Sequence, residues 1–250
     1  TMLGGAVLAV FSVNLKRTLA CSSMSQIGFI LTGIAMSCLL GHDNALAARG
    51  ALLYMLNHSL FKLILFLVAA VIYQNTHKLE LNDIRGFGRN KPLLMACYLM
   101  GALGIGGIPG FSGYVSKTLL HESIVEYIHL VPETAGLFTA VEWLFLLAGG
   151  LTCSYMLKLF VCIFVEKPSN PGWEKKSSAA LLSMLTLSAL TALLPLMGLL
   201  PHGVMGAFAA MGRGFMAGHA PEHAVHYFAW VNLKGSLLSL AIGAALYLLA

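Results

Sequence analysis

Residues 45–73 read ALAARGALLYMLNHSLFKLILFLVAAVIY, a nearly unbroken apolar run. A transmembrane α-helix needs about 20 predominantly apolar residues, so this stretch is long enough to cross a bilayer. Lys62 nevertheless lies inside it, roughly 16 Å from the Tyr73 end at about 1.5 Å per helical residue. A charge near the bilayer centre costs roughly 2.5–3.5 kcal/mol even on the mildest scale, and it usually faces a bundle interior or a wet cavity. The stretch therefore predicts a membrane helix with one buried polar face.

The composition extends this prediction to the whole chain of 250 residues. Apolar residues make up 58% of it and charged residues only 10%, against about 25% charged in a soluble domain. The mean hydropathy is +0.81. The five scattered cysteines form no CxxC pair, so neither a zinc knuckle nor an iron–sulfur site is indicated. The net charge of +5 fits basic loops at an anionic membrane surface better than nucleic-acid binding.

The apolar runs predict an all-α polytopic membrane protein, because their lengths suit helices and not barrel strands. The first residue is threonine and no signal-peptide pattern follows it, so we expect the chain to be part of something longer. The runs lie at Thr1–Val13, Leu19–Leu40, Ala45–Tyr73, Pro92–Gly107, Phe111–Leu130, Leu137–Val165, Ala179–Leu200 and Ala229–Leu249.

One pair of runs is interrupted by glycine and proline. Residues 104–110 read GIGGIPG and are followed by FSG, a density that no regular helix tolerates. Non-helical backbone at membrane depth is found where it is buried in protein or lines water, as in the broken helices of transporters. The sequence predicts a discontinuous helix here; a tight glycine turn between two ordinary spans is the alternative.

Two lysines in these runs have a histidine four residues away. His58 precedes Lys62, and His121 follows Lys117 just after the break; that spacing places each pair on one helix face. Burial disfavours the ammonium form, and histidine titrates near neutral pH. The pairs therefore predict proton handling. The alternatives are a snorkelling lysine or a structural hydrogen bond between helices for the first pair, and an amphipathic helix end at the interface for the second.

Other polar residues in or beside the apolar runs give weaker indications of function. Glu142 lies near the start of its run and is expected at the interface. Lys234 opens the last run and is expected to snorkel. Lys158 lies deeper in its run, and the sequence leaves open whether it faces the bundle. His219 and His223 have a helical metal-ligand spacing, but Pro221 lies between them. A flexible interfacial loop over residues 219–226 is favoured over a metal site.

Three stretches carry a family resemblance. Residues 14–29, NLKRTLACSSMSQIGF, resemble the string D-x-K-R-x-L-A-Y-S-S-x-S-Q-x-G. Residues 57–66, NHSLFKLILF, resemble N-H-x-x-F-K-A-L-L-F, and residues 108–119, IPGFSGYVSKTL, resemble P-x-x-G-F-x-S-K. Together they are similar to the antiporter-like proton-pumping subunits shared by respiratory complex I, Mrp-type Na⁺/H⁺ antiporters and energy-converting hydrogenases.

The resemblance implies a transmembrane helix bundle of two inverted repeats, of which this chain holds the second. It divides the chain into a transmembrane repeat at residues 1–165 and C-terminal helices at residues 166–250. It also places Lys62, His58 and Lys117 on a polar axis along the membrane midplane. Asn14 replaces the usual aspartate and Cys21 the usual tyrosine, which removes the usual ionic partner of Lys16. The predicted proton-pathway residues are Lys62, His58, Lys117, His121, Ser116, Lys158 and Lys16.

The leading hypothesis is a proton-translocating membrane subunit of a redox-driven respiratory complex of the NADH-quinone oxidoreductase or hydrogenase type. Such a subunit is expected to have no cofactor, metal or redox centre of its own and to lie in a bacterial or archaeal cytoplasmic membrane. Its partners would be other membrane and peripheral subunits, the lipid bilayer and protons, with Na⁺ as a second ion. The alternatives are a cation/proton antiporter of the Mrp type and a structural membrane subunit.

Overall fold

The structure is a helical bundle, described by a computed structural model over residues 1–175, 180–219 and 225–249. Five of its helical segments are long and apolar enough to cross a membrane, so the predicted polytopic all-α class is confirmed. The helices are α1 (Met2–Phe11), α2 (Leu15–Leu40), α3 (Ala45–Thr76), α4 (Leu81–Ile84), α5 (Pro92–Gly106), α6 (Ser112–Leu130), α7 (Ala135–Phe160), α8 (Leu181–Leu199), α9 (Gly206–Gly212) and α10 (Trp230–Leu249).

Two segments that connect the apolar runs, residues 14–17 and residues 201–228, are partly helical. Residues 14–17 belong to the start of α2, because the side chain of Asn14 caps that helix by accepting a hydrogen bond from the backbone N–H of Arg17 at 3.1 Å. An asparagine at this position satisfies one of the N–H groups that a helix start leaves unpaired. The connector at residues 201–228 contains α9 and, before it, one π-helical turn at Pro201–Met205.

The helix α3 lies against α2 on one side and against α6 on another, and α1 packs along both α2 and α7. With 32 residues, α3 is about 48 Å long at 1.5 Å per residue, so both its ends extend beyond roughly 30 Å of hydrocarbon. Lys62 lies near its middle. The helix α10 packs on α7 through small residues: Gly243 lies so close to Gly150 that an added Cβ would come within 2.6 Å of the carbonyl oxygen of Gly150. Small residues let membrane helices approach this closely.

The predicted interruption between α5 and α6 is confirmed. α5 ends at Gly106, and the backbone of Gly107 and of Gly110 has φ of +78° and +92°, a region that favours glycine because it lacks a Cβ. α8 covers this segment: Gly198 lies directly against the backbone of Gly110 and Phe111. The irregular backbone is thus packed against protein, with Gly107 buried and the next four residues partly buried.

The two pieces on either side of the break together cross the bundle once. α5 begins after a loop whose Gly88 donates a backbone hydrogen bond to Ile163, near the end of α7. The last turns of α6 reach the opposite end, where Ile124 belongs to the same apolar cluster as Leu40 and Ala47 at the α2–α3 turn. A tight turn would have returned α6 to the side on which α5 began. The segment is therefore one discontinuous helix.

Candidate functional site

Lys62 is held inside the bundle between α3 and α2. Its side chain is only 8% exposed, and its Nζ donates hydrogen bonds to the carbonyl of Leu19, at 3.0 Å, and to the hydroxyl of Ser22. Both partners belong to α2, so the lysine does not reach the membrane surface. An ammonium group has three donors, and these contacts use two of them.

A cluster of buried polar side chains continues from Ser22 along α2. Gln26 lies one turn further on the same helix face, and the hydroxyl of Tyr54 on α3 donates a hydrogen bond to its Oε1. The Gln26 Nε2 donates to the hydroxyl oxygens of Thr152 and Tyr155 on α7, at 3.3 and 3.4 Å. These side chains have almost no exposed surface. The cluster joins three helices at the depth of Lys62.

Lys117 caps the broken end of α5. Its Nζ donates to the carbonyls of Ile105 and Gly106 at 3.0 and 3.3 Å, and the hydroxyl of Ser236 on α10 donates to the carbonyl of Gly107 at 2.7 Å. The last carbonyls of a helix have no partner within the helix and form the negative end of its dipole. A cation at this place is therefore stabilised by neutral backbone groups.

The ring of Phe29 lies against both polar regions. It is stacked on Tyr54 with centroids 5.8 Å apart, and the Lys117 Nζ lies 5.0 Å from its centroid. Phe145 packs edge-to-face against the same ring at 4.8 Å. Phe29 is fully buried, so this apolar ring is in contact at once with the Gln26 cluster and with the lysine at the break.

His121 lies between two carboxylates. Its Nε2 is 2.9 Å from Glu142 and its Nδ1 is 3.5 Å from Glu122. Glu142, which was expected at the interface from its position near the start of the run, thus contacts His121 on α6. A cavity of about 30 Å³ borders Lys117, His121 and hydroxyl groups of α10, which is space for a single water molecule. The predicted Lys117–His121 pair thus shares one small polar cavity.

Asn57, on the turn of α3 that precedes Lys62, forms hydrogen bonds that connect α3 to the start of α6. Its Nδ2 donates to the carbonyl of Ser112 and to the hydroxyl of Ser116, both at 2.9 Å, which places the predicted residue Ser116 at the break. The Nε2 of His58 is buried without a hydrogen-bond partner among the described residues. Ser59, although it belongs to the same sequence cluster, is exposed and bonds only to the carbonyl of Met55.

The two remaining predicted residues lie apart from this cluster. Lys158 donates to the carbonyls at and just beyond the end of α1, with distances of 3.2 Å to Ala9, 2.6 Å to Val10 and 2.7 Å to Ser12. It therefore faces the bundle as a cap on α1. Lys16 is exposed in the first turn of α2. Of the histidine loop, His219 is described, but His223 lies outside the described residues.

Sequence reasoning missed Ser22, Gln26 and the residues of α7 that contact them. A signal was present, since Thr18, Ser22 and Gln26 recur every four residues, and this spacing lines one helix face. Nothing in the sequence could place Thr152 or Tyr155 against that face, because they lie more than 120 positions away.

This fold and these buried cations define a multi-spanning membrane protein with ionisable groups inside its helix bundle. Residues 1–142 match the family model described as NADH:quinone oxidoreductase/Mrp antiporter, TM. The chain belongs to this family.

Individual relatives agree with that assignment. NAD(P)H-quinone oxidoreductase chain 4 of Synechococcus elongatus is 34% identical over 160 residues, which cover 64% of this chain and 28% of the relative. Hydrogenase-4 component B of Escherichia coli is 29% identical over 201 residues, covering 77% of this chain and 30% of the relative. The chain thus spans less than a third of the length of these two relatives.

Solved structures share the fold. The structure of the Mrp complex from Dietzia sp. matches with a TM-score of 0.74 at 24% identity, over 99% of this chain and 26% of the matched chain. Respiratory complex I from Thermus thermophilus matches with a TM-score of 0.68 at 24% identity, over 86% of this chain and 42% of the matched chain.

Proposed function

We propose that the chain belongs to a proton-translocating membrane subunit of a redox-driven respiratory complex, with Lys62 and Lys117 as its proton carriers. The observation that carries the proposal is the way in which the two lysines are held. Each ammonium is bonded only to carbonyl and hydroxyl groups, and neither forms an ion pair within the described residues. When such a lysine loses its proton, no carboxylate is left unpaired inside the bundle. If the lysine were in a buried ion pair, its deprotonation would leave an unpaired carboxylate there.

In this mechanism Lys62 exchanges its proton with the hydroxyl of Ser22, the first member of the cluster around Gln26. Hydroxyl groups both donate and accept hydrogen bonds, so Ser22, Tyr54 and Tyr155 suit a relay. His58, with its free Nε2, is the partner on the α3 side.

On the other side of Phe29, Lys117 exchanges its proton through the small cavity that it shares with His121. The imidazole of His121, 2.9 Å from Glu142 and 3.5 Å from Glu122, is the exchange partner of Lys117 at this cavity. Because the Phe29 ring carries no group that relays a proton, we propose that it separates the two exchange sites in the resting state.

The driving redox reaction is proposed to take place in other subunits, as the names of the relatives suggest for their own complexes. The proposed location is a bacterial or archaeal cytoplasmic membrane. The second candidate is a cation/proton antiporter subunit of the Mrp type. It is favoured by the structural match to the Mrp complex over 99% of the chain.

Vesicles that contain the complete complex test both candidates through the quenching of a pH-sensitive dye. Lys62→Ala and Lys117→Ala are expected to abolish quenching driven by the electron donor, while Lys78→Ala, a surface lysine paired with Asp83 at 3.4 Å, leaves it unchanged. Normal pumping by both of the first two variants would exclude the two lysines as carriers. Quenching that requires sodium and no electron donor would favour the antiporter instead.

A further inference from the structure

A second cationic site lies at the end of the bundle where α3 begins. Arg49, one turn into α3, and Arg213, just after α9, line one cavity of about 100 Å³ together with His219. The cavity is several times larger than the space that one water molecule needs. Its remaining walls are mainly apolar, formed by alanine and leucine side chains of α3 and by alanines of α9.

Within the described residues, the guanidinium groups at this cavity have no acidic partner. The Nε of Arg49 is buried and has no hydrogen-bond partner among the described residues, and the ion pairs of the described chain include neither Arg49 nor Arg213. The ring of His42 lies beside that of His219, with centroids 5.5 Å apart. The planar fork of an arginine matches the oxygens of a phosphate group.

Hydrogen bonds of Asn44 fix the walls of the cavity against each other. Asn44, at the turn between α2 and α3, donates from its side chain to the carbonyl of Ala217 at 3.2 Å and accepts from the backbone N–H of His219 at 3.0 Å. Its side chain is buried. These two bonds fix the segment that carries Arg213 against the start of α3, so the two arginines converge through the fold.

An exposed apolar stripe runs beside the cavity. Phe208, Met211 and Phe215 are 41%, 73% and 81% exposed, and their spacing of three and four residues places them on one side of α9 and the turn after it. With Lys62 placed at the bilayer centre, Arg49, which lies earlier in α3, would be about 20 Å from that centre at 1.5 Å per residue, which is the level of the lipid headgroups. Apolar side chains immersed in the interface beside basic groups are typical of segments that bind anionic lipid.

We propose that this cavity binds the phosphate of an anionic phospholipid, with the acyl chains lying along the Phe208–Met211–Phe215 stripe. The cationic lining selects a negative headgroup, and the stripe provides an apolar surface that a water-soluble phosphate would not use. Each arginine near an anionic surface contributes about a fivefold gain in affinity.

The test counts retained lipid in the purified complex by native mass spectrometry, after reconstitution in equal amounts of phosphatidylglycerol and phosphatidylcholine. The double variant Arg49→Gln/Arg213→Gln is expected to bind phosphatidylglycerol roughly 25-fold more weakly. Lys234→Gln, which removes an exposed cation near the start of α10, serves as the matched control and is expected to retain the lipid.

Three outcomes would overturn the proposal. The double variant could retain as much phosphatidylglycerol as the complex without substitutions, or millimolar inorganic phosphate could displace the lipid. The double variant could also lose a neighbouring subunit while it keeps the lipid. Met211→Gln provides a variant that leaves both arginines intact. It is expected to weaken retention severalfold while the helical content, measured by circular dichroism, stays unchanged. Full retention by this variant would contradict the role of the stripe.

Discussion

The ammonium of Lys117 bonds to the carbonyl of Ile105 across five residues of non-helical backbone. The break leaves the last carbonyls of α5 without partners within the helix, and the ammonium of Lys117 supplies hydrogen bonds to them. The charge of Lys117 therefore stabilises the end of α5. The same amine is therefore both a structural cap and a proposed proton carrier.

Arginine substitution separates these two roles at Lys117. Lys117→Ala leaves the carbonyls of Ile105 and Gly106 without this donor and is expected to lower the free energy of unfolding by about 1–3 kcal/mol. Lys117→Arg supplies donors but holds its proton permanently, so we expect near-normal thermal stability together with loss of pumping. Normal pumping by the arginine variant would show that Lys117 acts only as a cap.

Ser22 and Ser23 form a matched pair on α2. Both hydroxyls donate to the carbonyl of Leu19, but Ser22 is fully buried and also accepts a hydrogen bond from Lys62. Ser22→Ala is expected to destabilise the protein by about 1–3 kcal/mol, because a buried charged donor loses its partner, and to slow pumping. Ser23→Ala is expected to change stability by less than about 0.5 kcal/mol. Equal effects in unfolding and dye-quenching measurements would contradict the Lys62–Ser22 contact.

Phe29 contacts both Tyr54 and Lys117, so under the proposed mechanism its removal is expected to connect the two polar regions. Phe29→Ala opens a cavity between the Gln26 cluster and Lys117 that water can enter, at a cost of about 3–5 kcal/mol in stability. The predicted result is a faster passive decay of an imposed pH gradient in vesicles without an electron donor. Phe66→Ala, at an outward position that is 36% exposed, is the control and is expected to leave the decay unchanged. A decay as slow as that of the control would exclude a separating role for Phe29.

Lys158 is expected to stabilise the bundle without carrying protons. Lys158→Met removes the donor shared by the carbonyls of Ala9, Val10 and Ser12 and is expected to cost about 1–3 kcal/mol. Lys158→Arg restores donors for these carbonyls, so it is expected to pump nearly normally. If the arginine variant is as stable as the protein without substitutions but does not pump, Lys158 belongs to the proton path.

The spans themselves were accessible from the sequence. The run predicted at Ala45–Tyr73 is the helix Ala45–Thr76, and the break predicted after Gly107 begins one residue earlier. These features depend on local composition. A sufficiently long apolar run favours a membrane helix, and a cluster of glycines interrupts a helix, wherever they lie in the chain. The side of the protein on which α6 ends was not accessible, because it follows from packing against the α2–α3 turn.

The partners of the predicted site residues were less accessible. Lys62 and Lys158 were recognised as charges in apolar runs, but their acceptors are carbonyl groups of α2 and α1, which no side-chain pattern marks. Glu142 was assigned to the interface because it lies near a run end, yet it contacts His121 on another helix. Contacts between distant helices depend on crossing geometry, which hydropathy does not encode.

The hydroxyl of Ser236 on α10 donates a hydrogen bond to the carbonyl of Gly107 in the break. Ser236 lies outside residues 1–142, which match the family model. Its neighbours on the outer face of α10, such as Leu237, are exposed toward lipid and can be exchanged among apolar residues at little cost. Position 236, by contrast, tolerates threonine but not alanine, because the carbonyl of Gly107 would then lose this donor. The helix α10 is thus constrained by the backbone of the central break at Ser236, in addition to its close packing on α7 at Gly243 and the hydrogen bond from Ser239 to the carbonyl of Leu146.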